Sequence, residues 1–315
     1  MCRKAFLLFF PILCLCVGAK AQRIMFWNVE NLFDCQKDSL KEDHEFLPEG
    51  SYHWTRGRYW KKLDNLSRTI AAIADEGDWP MVVGMCEVEN DTVLRDLTRR
   101  SPLRRARYTY IHEEGPDVRG IDVAMLYDSL QFRPLGHKAV RIPSAEQGFR
   151  PTRDILHVWG LCPTLPDTLH IIIVHLPSRA SGRKGETHRK LAVNTLCSLL
   201  DELEGKSVLL MGDFNSEPND KIFRKIGSRL TSLMPQNRKE LRQAQGTYYF
   251  RKVWGYLDHI LVSPSLLPFV SKRVDVGRFS FLLTEKGTPW RTFQGPIYRG
   301  GISDHLPIWV DLLSK

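Results

Sequence analysis

Apolar and polar residues follow two different periods along the 315-residue chain. Apolar residues recur every three or four positions over residues 58–76 and 184–203, and this spacing predicts two amphipathic helices. Short apolar runs bounded by Gly, Pro, Asp or Asn predict strands. The predicted strands cover residues 23–29, 81–88, 108–112, 122–127, 132–142, 154–161, 169–176, 207–211, 256–262 and 307–312. Shorter helices are predicted at residues 92–99 and 220–226.

The order of these elements limits the fold. The helices are too few for a barrel of eight strand–helix units, and the strands are too many for a single dinucleotide-binding sheet. Two mainly antiparallel sheets that pack face to face, with helices outside, account for the order better. No repeat or low-complexity linker divides the chain, so we predict one α/β domain over residues 22–315.

Residues 1–21 have the pattern of a secretory signal peptide. Arg3 and Lys4 precede an apolar run that ends at Gly18, and residues 19–21 have the small-x-small form of a cleavage site. The run is too short to cross a bilayer as a stable helix. We therefore expect cleavage after Ala21 and export to the periplasm or the extracellular space.

The composition is that of a globular protein, which excludes disordered, collagen-like and disulfide-scaffold classes. The net charge of +9 favours a polyanionic partner, although cleavage of the signal peptide would lower that charge to +6. No Cys-x-x-Cys pair or Cys/His cluster with zinc spacing is present. We expect buried free thiols at the four cysteines of the mature chain, Cys35, Cys86, Cys162 and Cys197.

Polar residues with catalytic or ligating side chains end or interrupt the apolar runs. Each one alone also fits a structural role, such as a turn or a helix cap. Together they favour a shared site, because a polar group at the end of a buried strand is costly unless it has a partner. These residues are Asn28, Glu87, Asp122, His175, Asp213, Asn215, Asp258, Asp304 and His305.

In this order the motifs resemble those of the endonuclease/exonuclease/phosphatase superfamily, the deoxyribonuclease-I-like metal-dependent phosphoesterases. The resemblance runs from Ile24 to Val310. Gly-Asp-Phe-Asn around Asp213 and Ser-Asp-His-Leu-Pro around Asp304 are its specific parts, whereas the other motifs are weak individually. The resemblance implies a four-layer α/β sandwich and the hydrolysis of phosphate esters.

The resemblance also implies a divalent cation. Glu87 and Asp304 match metal ligands, and Asn28 lies near the metal or the phosphate. Mg²⁺ or Mn²⁺ is the expected ion, with Ca²⁺ as a further option, because hard cations take oxygen ligands. Asn215, Asn28 and Arg153 are expected to bind the substrate phosphate.

His305 is the predicted general acid or base, and Asp258 is expected to orient its ring. Either His305 or Asp213 takes the proton of the attacking water; the sequence leaves this choice open. His175 is a second histidine of interest, because the exonuclease-III-like branch usually has tyrosine there. Deoxyribonucleases, sphingomyelinases and inositol-polyphosphate phosphatases carry histidine. Asp122 is the predicted carboxylate partner of His175.

The leading hypothesis for function is a secreted, monomeric nuclease. Basic residues interleaved with aromatic ones over residues 54–62, and basic runs over 99–107 and 179–190, favour nucleic acid. The Gly- and Pro-rich loop 287–301 leads into Asp304 and is expected to shape the substrate site.

Two other functions remain open. A phosphatase or sphingomyelinase-like phosphodiesterase would act on lipid or sugar phosphates. For a lipid substrate we expect an exposed apolar hairpin, for which Phe279–Leu283 is a candidate, although a buried strand explains this segment equally well. A non-catalytic binding module would be expected to lack the ligand and acid–base residues, which are all present.

Overall fold

The computed structural model describes residues 21–74, 78–143, 151–178, 182–235 and 246–314. The predicted signal peptide lies outside the described residues, apart from Ala21. Within the described ranges, the helices are all too short or too polar to cross a membrane.

The secondary structure follows the predicted order closely. The helices are α1 (Arg56–Ile73), α2 (Asp91–Arg95), α3 (Gly182–Glu202) and α4 (Lys221–Ile226). The strands are β1 (Gln22–Leu32), β2 (Val82–Val88), β3 (Thr109–His112), β4 (Asp122–Tyr127), β5 (Arg133–Val140), β6 (Ile155–Leu161), β7 (Leu169–His175), β8 (Ser207–Asp213), β9 (Thr231–Ser232), β10 (Tyr248–Phe250), β11 (Val253–Gly255), β12 (Asp258–Val262), β13 (Asp275–Val276), β14 (Phe293–Gln294), β15 (Ile297–Tyr298) and β16 (Ile308–Leu312).

The strands form two large sheets of six strands each. The first sheet has the order β13-β16-β1-β2-β4-β3, and the second has the order β5-β6-β7-β8-β12-β9. In each sheet one neighbouring pair is parallel, β1 with β2 and β7 with β8, and the other pairs are antiparallel. The prediction of mainly antiparallel sheets is confirmed.

The period-two pattern of β1 shows how the layers form. Ile24 and Phe26 point into the core between the sheets, whereas Met25 and Trp27 point outward beneath α1. The strands β7 and β8 divide their apolar residues in the same way, and α3 and α4 cover the outer face of the second sheet. The result is helix, sheet, sheet, helix, which confirms the α/β sandwich expected from the sequence.

The helix α1 begins at Arg56, two residues before the start predicted at Arg58. Thr55 is in the extended conformation before the helix, and its side chain accepts from the backbone N–H of Arg58. This cap satisfies one of the free N–H groups at the helix start and lets the helix begin at Arg56.

The segment Phe279–Leu283 forms neither the apolar hairpin nor the buried strand that its sequence allows. It contains a single 3₁₀ turn at Ser280–Leu282. Leu282 is buried in the outer core of the first sheet, and the guanidinium group of Arg68 lies 4.0 Å from the ring centroid of Phe281. These contacts explain the apolar character of the segment without a membrane.

Gly84 marks a close approach between the two sheets. It faces inward on β2, and a Cβ atom there would lie 2.6 Å from Cε of Met211 on β8. Only a residue without a side chain fits at this spacing unless Met211 moves.

We predict that Gly84→Val lowers the free energy of unfolding by about 1–3 kcal/mol, because it overpacks this contact. The matched test is the double variant with Met211→Ala, measured by denaturant unfolding. The larger side chain should partly fill the space left at position 211, so the double variant should lose less stability than the sum of the two single variants. Additive losses would contradict a direct contact.

Candidate active site

The strand directions bring the predicted site residues to one edge of the sandwich. The parallel pairs β1–β2 and β7–β8 end at this edge, and the antiparallel strands β4, β12 and β16 begin there. The register places Asp213 opposite both His175 on β7 and Asp258 on β12. Asp304 and His305 lie just before β16, which runs antiparallel to β1.

The inward-facing rows of the apolar core continue into this edge as polar residues. Asn28 follows Ile24 and Phe26 with the same parity on β1, and Asp213 follows the inward-facing residues of β8. Asn28 Nδ2 donates to Asp213 Oδ2 at 3.0 Å and to Glu87 Oε1 at 3.1 Å. One buried amide therefore links the polar ends of the two sheets.

Glu87 reaches the site through a backbone irregularity. Met85 and Val88 both face outward, and the pairing of β2 with β4 shifts register between Cys86 and Val88. Glu87 lies in this shift with φ of 63°, a conformation that costs a residue other than glycine about 1–2 kcal/mol. The strained backbone turns its carboxylate inward, where Oε2 accepts from the N–H of Asn31 at 2.8 Å.

His305 is held between two carboxylates. Its Nδ1 lies 2.7 Å from Asp258 Oδ2, and its Nε2 lies 3.8 Å from Asp213 Oδ2. The ring of Tyr248 packs on it at 4.7 Å between centroids. Burial alone lowers the pKa of His305, but the charges of Asp258 and Asp213 outweigh burial and raise the pKa well above its ordinary value. The pairing of His305 with Asp258 has the geometry predicted from the sequence.

The other carboxylates lie close enough to repel one another. Burial raises the pKa of Asp213 to about 7, with the charge of His305 opposing and that of Asp258 adding to the rise. Burial also raises the pKa of Asp304, and the charge of Glu87 adds to this effect. Arg291 Nη2 donates to Asp304 Oδ2 at 3.1 Å and balances part of the negative charge.

These residues fit a hard divalent cation. Glu87 Oε1 lies 3.1 Å from Asn28 Nδ2, and burial, followed by the charge of Glu87, raises the pKa of the nearby Asp304. Carboxylate oxygens are the donor type that Mg²⁺ and Mn²⁺ prefer. Burial, with the charges of neighbouring carboxylates, raises the pKa of Asp213 and Asp304, and a bound cation would favour their charged forms. Asp213, Asp258 and His305 each offer one possible ligand atom, and these three atoms lie within 4.8 Å of one another.

His175 lies on the opposite side of Asp213 from this pair. Its Nε2 is 3.7 Å from Asp213 Oδ2 and 3.9 Å from Glu87 Oε1. Burial, followed by the charge of Arg153, lowers the pKa of His175 well below its ordinary value, so the ring is neutral. Among the described residues its Nδ1 has no hydrogen-bond partner.

The structure does not bring Asp122 to His175. Val123 on β4 faces the second sheet, so Asp122, one residue earlier, faces the other way. Its carboxylate accepts from the N–H of Gly115 at 3.0 Å and lies 3.8 Å from Nε2 of His112. The predicted pairing of Asp122 with His175 is not found, because neighbouring residues of a strand face opposite sides of the sheet.

Arg153 and Asn215 lie at the same edge. Arg153 is buried, and its Nη1 is 3.1 Å from Asp117 Oδ2. Asn215 has φ of 47°, and its Nδ2 donates to the carbonyl of Leu176 at 2.9 Å. The turn after β8 therefore fixes this amide beside the ends of β7 and β8.

Lys62 supports the site from the protein interior, whereas the sequence pattern predicts that it lies at the surface. It was grouped with the basic and aromatic residues expected to contact nucleic acid, but Lys62, Trp54 and Tyr59 are all buried. Lys62 Nζ donates at 2.7 Å to the carbonyl oxygens of Glu30 and Ile302. The available signal was its position on α1, in the apolar stripe that includes Leu66.

The buried Glu30 completes this connection. Its carboxylate accepts from the backbone N–H groups of Thr292 and Phe293, and Lys62 also donates to the hydroxyl of Thr292. Burial raises the pKa of Glu30 to about 7 and lowers that of Lys62 to about 8. Lys62 and Glu30 therefore connect α1 and the end of β1 to the segment that contains Arg291. This segment leads to Asp304 at the edge where the predicted site residues lie, called the catalytic edge below.

Comparison with known proteins agrees with this geometry. Residues 23–314 match the model of the Endonuclease/Exonuclease/phosphatase family. The comparison with curated proteins gives no match.

Solved structures share the fold at low sequence identity. A mannosyl-6-phosphatase of Bacteroides thetaiotaomicron VPI-5482 has a TM-score of 0.56 at 16% identity, over 93% of this chain and 99% of that one. D. rerio TDP2 complexed with a single-strand DNA product has a TM-score of 0.56 at 15% identity, over 92% and 98%. The human Nocturnin catalytic domain with bound sulfate has a TM-score of 0.55 at 19% identity, over 92% and 93%.

We predict that Lys62→Met lowers the free energy of unfolding by about 3 kcal/mol, because it leaves buried acceptors and the Glu30 carboxylate without their cation. Lys61→Met is the matched control, since this neighbouring lysine is exposed, and should change the value by less than about 0.5 kcal/mol. Denaturant unfolding measures both. Equal losses in the two variants would contradict a structural role for the buried amine.

Proposed function

Since this chain belongs to the endonuclease/exonuclease/phosphatase family, we propose that it is a metal-dependent phosphoesterase that hydrolyses phosphodiester bonds with water. The observation that carries the proposal is the arrangement of Asp258, His305 and Asp213 beside the oxygen ligands Glu87 and Asp304. A charged ester repels a nucleophile, so hydrolysis needs positive charge at the phosphate and a group that takes the proton of the water.

The chain's own residues divide this work. Asp258 fixes the His305 ring so that Nε2 faces Asp213 Oδ2 across 3.8 Å, and this pair of atoms handles the proton of the attacking water. Asn28 holds Oδ2 of Asp213, while the N–H of Asn215 holds Oδ1 at 2.8 Å. A cation bound by Glu87 and Asp304 would neutralise charge on the phosphate oxygens and orient the ester.

Nucleic acid is the substrate class that we propose. The net charge, +9 for the full chain and +6 without residues 1–21, favours a polyanion, and a neighbour of the same fold, D. rerio TDP2, has been solved with a single-strand DNA product. The phosphatase alternative has its own support, because another neighbour is a mannosyl-6-phosphatase. The substrate panel described below separates these two functions.

We also propose that the protein is exported, on the pattern of residues 1–21. Mass spectrometry of protein from its native host should find a chain that begins at Gln22. A cytoplasmic chain that keeps residues 1–21 would contradict export.

We predict that His305→Asn lowers kcat by about 10²–10⁴-fold on plasmid DNA, because it removes the proton-handling nitrogen. EDTA should abolish activity, and added Mg²⁺ or Mn²⁺ should restore it. His44→Asn is the control, since this histidine is exposed and lies outside the site.

The panel includes plasmid DNA, single-stranded DNA, RNA, sphingomyelin and mannose 6-phosphate. Metal-independent cleavage, or unchanged turnover in His305→Asn, would refute the proposed mechanism. Cleavage of only the lipid or the sugar phosphate would leave the mechanism in place and refute the nuclease function.

A further inference from the structure

A groove of about 980 Å³ opens beside the catalytic edge. One wall is formed by β10 and the turn that follows it, and the other by the segment 283–291 together with residues 294, 295 and 299. The sequence predicts a substrate-shaping role for the loop 287–301, which forms much of the second wall, but it does not predict the first wall, which lies more than thirty residues away in the chain.

Arg291 joins the groove to the catalytic residues. It lines the groove, and its Nη2 donates to Asp304 Oδ2 at 3.1 Å. On the other wall, Tyr248 contacts the His305 ring and is followed directly by the groove residue Tyr249. The groove therefore begins next to His305 and Asp304.

The groove carries an excess of positive charge. Among the described residues, its lining contains Arg251, Lys286, Arg291 and Arg299 against the carboxylate of Glu285. Arg291 is paired with Asp304, and Arg299 Nε donates to the neutral side chain of Gln294 at 3.0 Å. Arg251 and Arg299 are thus placed to contact an anionic group beyond the one at the catalytic edge.

Two exposed aromatic rings line the same groove. Trp290 is 39% exposed and Phe250 is 50% exposed. The indole is fixed, because its Nε1 donates to the carbonyl of Arg299 at 3.1 Å. The Arg251 guanidinium lies 5.3 Å from the centroid of Phe250. Fixed aromatic faces between cations suit unstacked bases joined by phosphates, and this combination is typical of surfaces that bind single strands.

We propose that this groove is a nucleotide subsite for single-stranded nucleic acid, with Trp290 and Phe250 stacking on bases and Arg251 and Arg299 binding the next phosphate. The proposal rests on the proposed phosphodiesterase function and specifies its substrate. Bases inside a duplex cannot reach these rings, so the subsite selects single strands. A monosaccharide with one phosphate has no second anionic group for Arg251 and Arg299 to bind.

Fluorescence anisotropy of a labelled ten-nucleotide oligothymidylate tests the subsite in the full mature chain with Mg²⁺, on a His305→Asn background that slows cleavage. Trp290→Ala should weaken binding at least about fivefold, and Trp290→Phe should recover most of the loss, because a ring remains. The binding constant falls as the salt concentration rises. Arg251→Ala and Arg299→Ala should each reduce the magnitude of the slope of log K against log salt concentration by about 0.7. Arg224→Ala is the matched control, since Arg224 is exposed on α4 behind the second sheet and should change neither quantity.

Hydrolysis of a nitrophenyl phosphodiester with a single phosphate separates the two levels of the proposal. If the His305-intact protein cleaves it and single-stranded DNA, but Trp290→Ala impairs the DNA reaction no more than the small ester, the subsite is refuted. An equal loss in Trp290→Phe and Trp290→Ala, or preference for duplex DNA, also refutes it. If the intact protein cleaves neither substrate, the phosphodiesterase function itself fails.

Discussion

Repulsion among carboxylates at one edge of the sandwich is the constraint on which the site depends. Glu87, Asp213, Asp258 and Asp304 converge where seven strands begin or end. Burial raises the pKa of Asp213 and of Asp304, so the negative charge of these two groups is costly. His305 and Arg291 supply positive charge within hydrogen-bond distance of Asp258 and Asp304. The remaining negative charge of the carboxylates favours a further cation. The same electrostatics therefore prepare the edge for a metal ion and an anionic ester.

The backbone contributes to this arrangement as much as the charges do. Glu30, Asn31, Glu87 and Asn215 all adopt positive φ, although none is glycine. Such conformations persist only where surrounding contacts compensate for them, and here the contacts include the bond from Asn31 N–H to Glu87 and that from Asn215 to the carbonyl of Leu176. The register shift at Glu87 is the clearest case, since an unbroken strand would point this carboxylate away from the second sheet.

Local patterns predicted most of the fold and much of the edge, because strand periodicity is a local property. The β4 bounds of Asp122–Tyr127 match the predicted strand, yet the same parity argument, applied to Val123, would have turned Asp122 away from His175. Lys62 was misassigned because burial of a lysine depends on acceptors from Glu30 and Ile302, which are distant in sequence. Glu87 is a candidate from the sequence because it ends an apolar run, but its inward direction depends on a register shift that leaves no periodic trace.

The residues proposed to carry out hydrolysis lie at strand ends, whereas those proposed to select the substrate lie in the outer segments. The strand ends position Asn28, Asp213 and Asp258, because Asn28 bonds to Asp213 across the two sheets and Asp213 pairs with Asp258 on the neighbouring strand. The groove walls come instead from the β10 turn and the segment after Leu282, which can change without disturbing the core. Lys62 and Glu30 connect the two parts by anchoring Thr292, one residue from Arg291. Substitutions at this anchor or at Arg291 should therefore affect both the site edge and the groove, whereas changes at Trp290 or Phe250 should affect substrate binding alone.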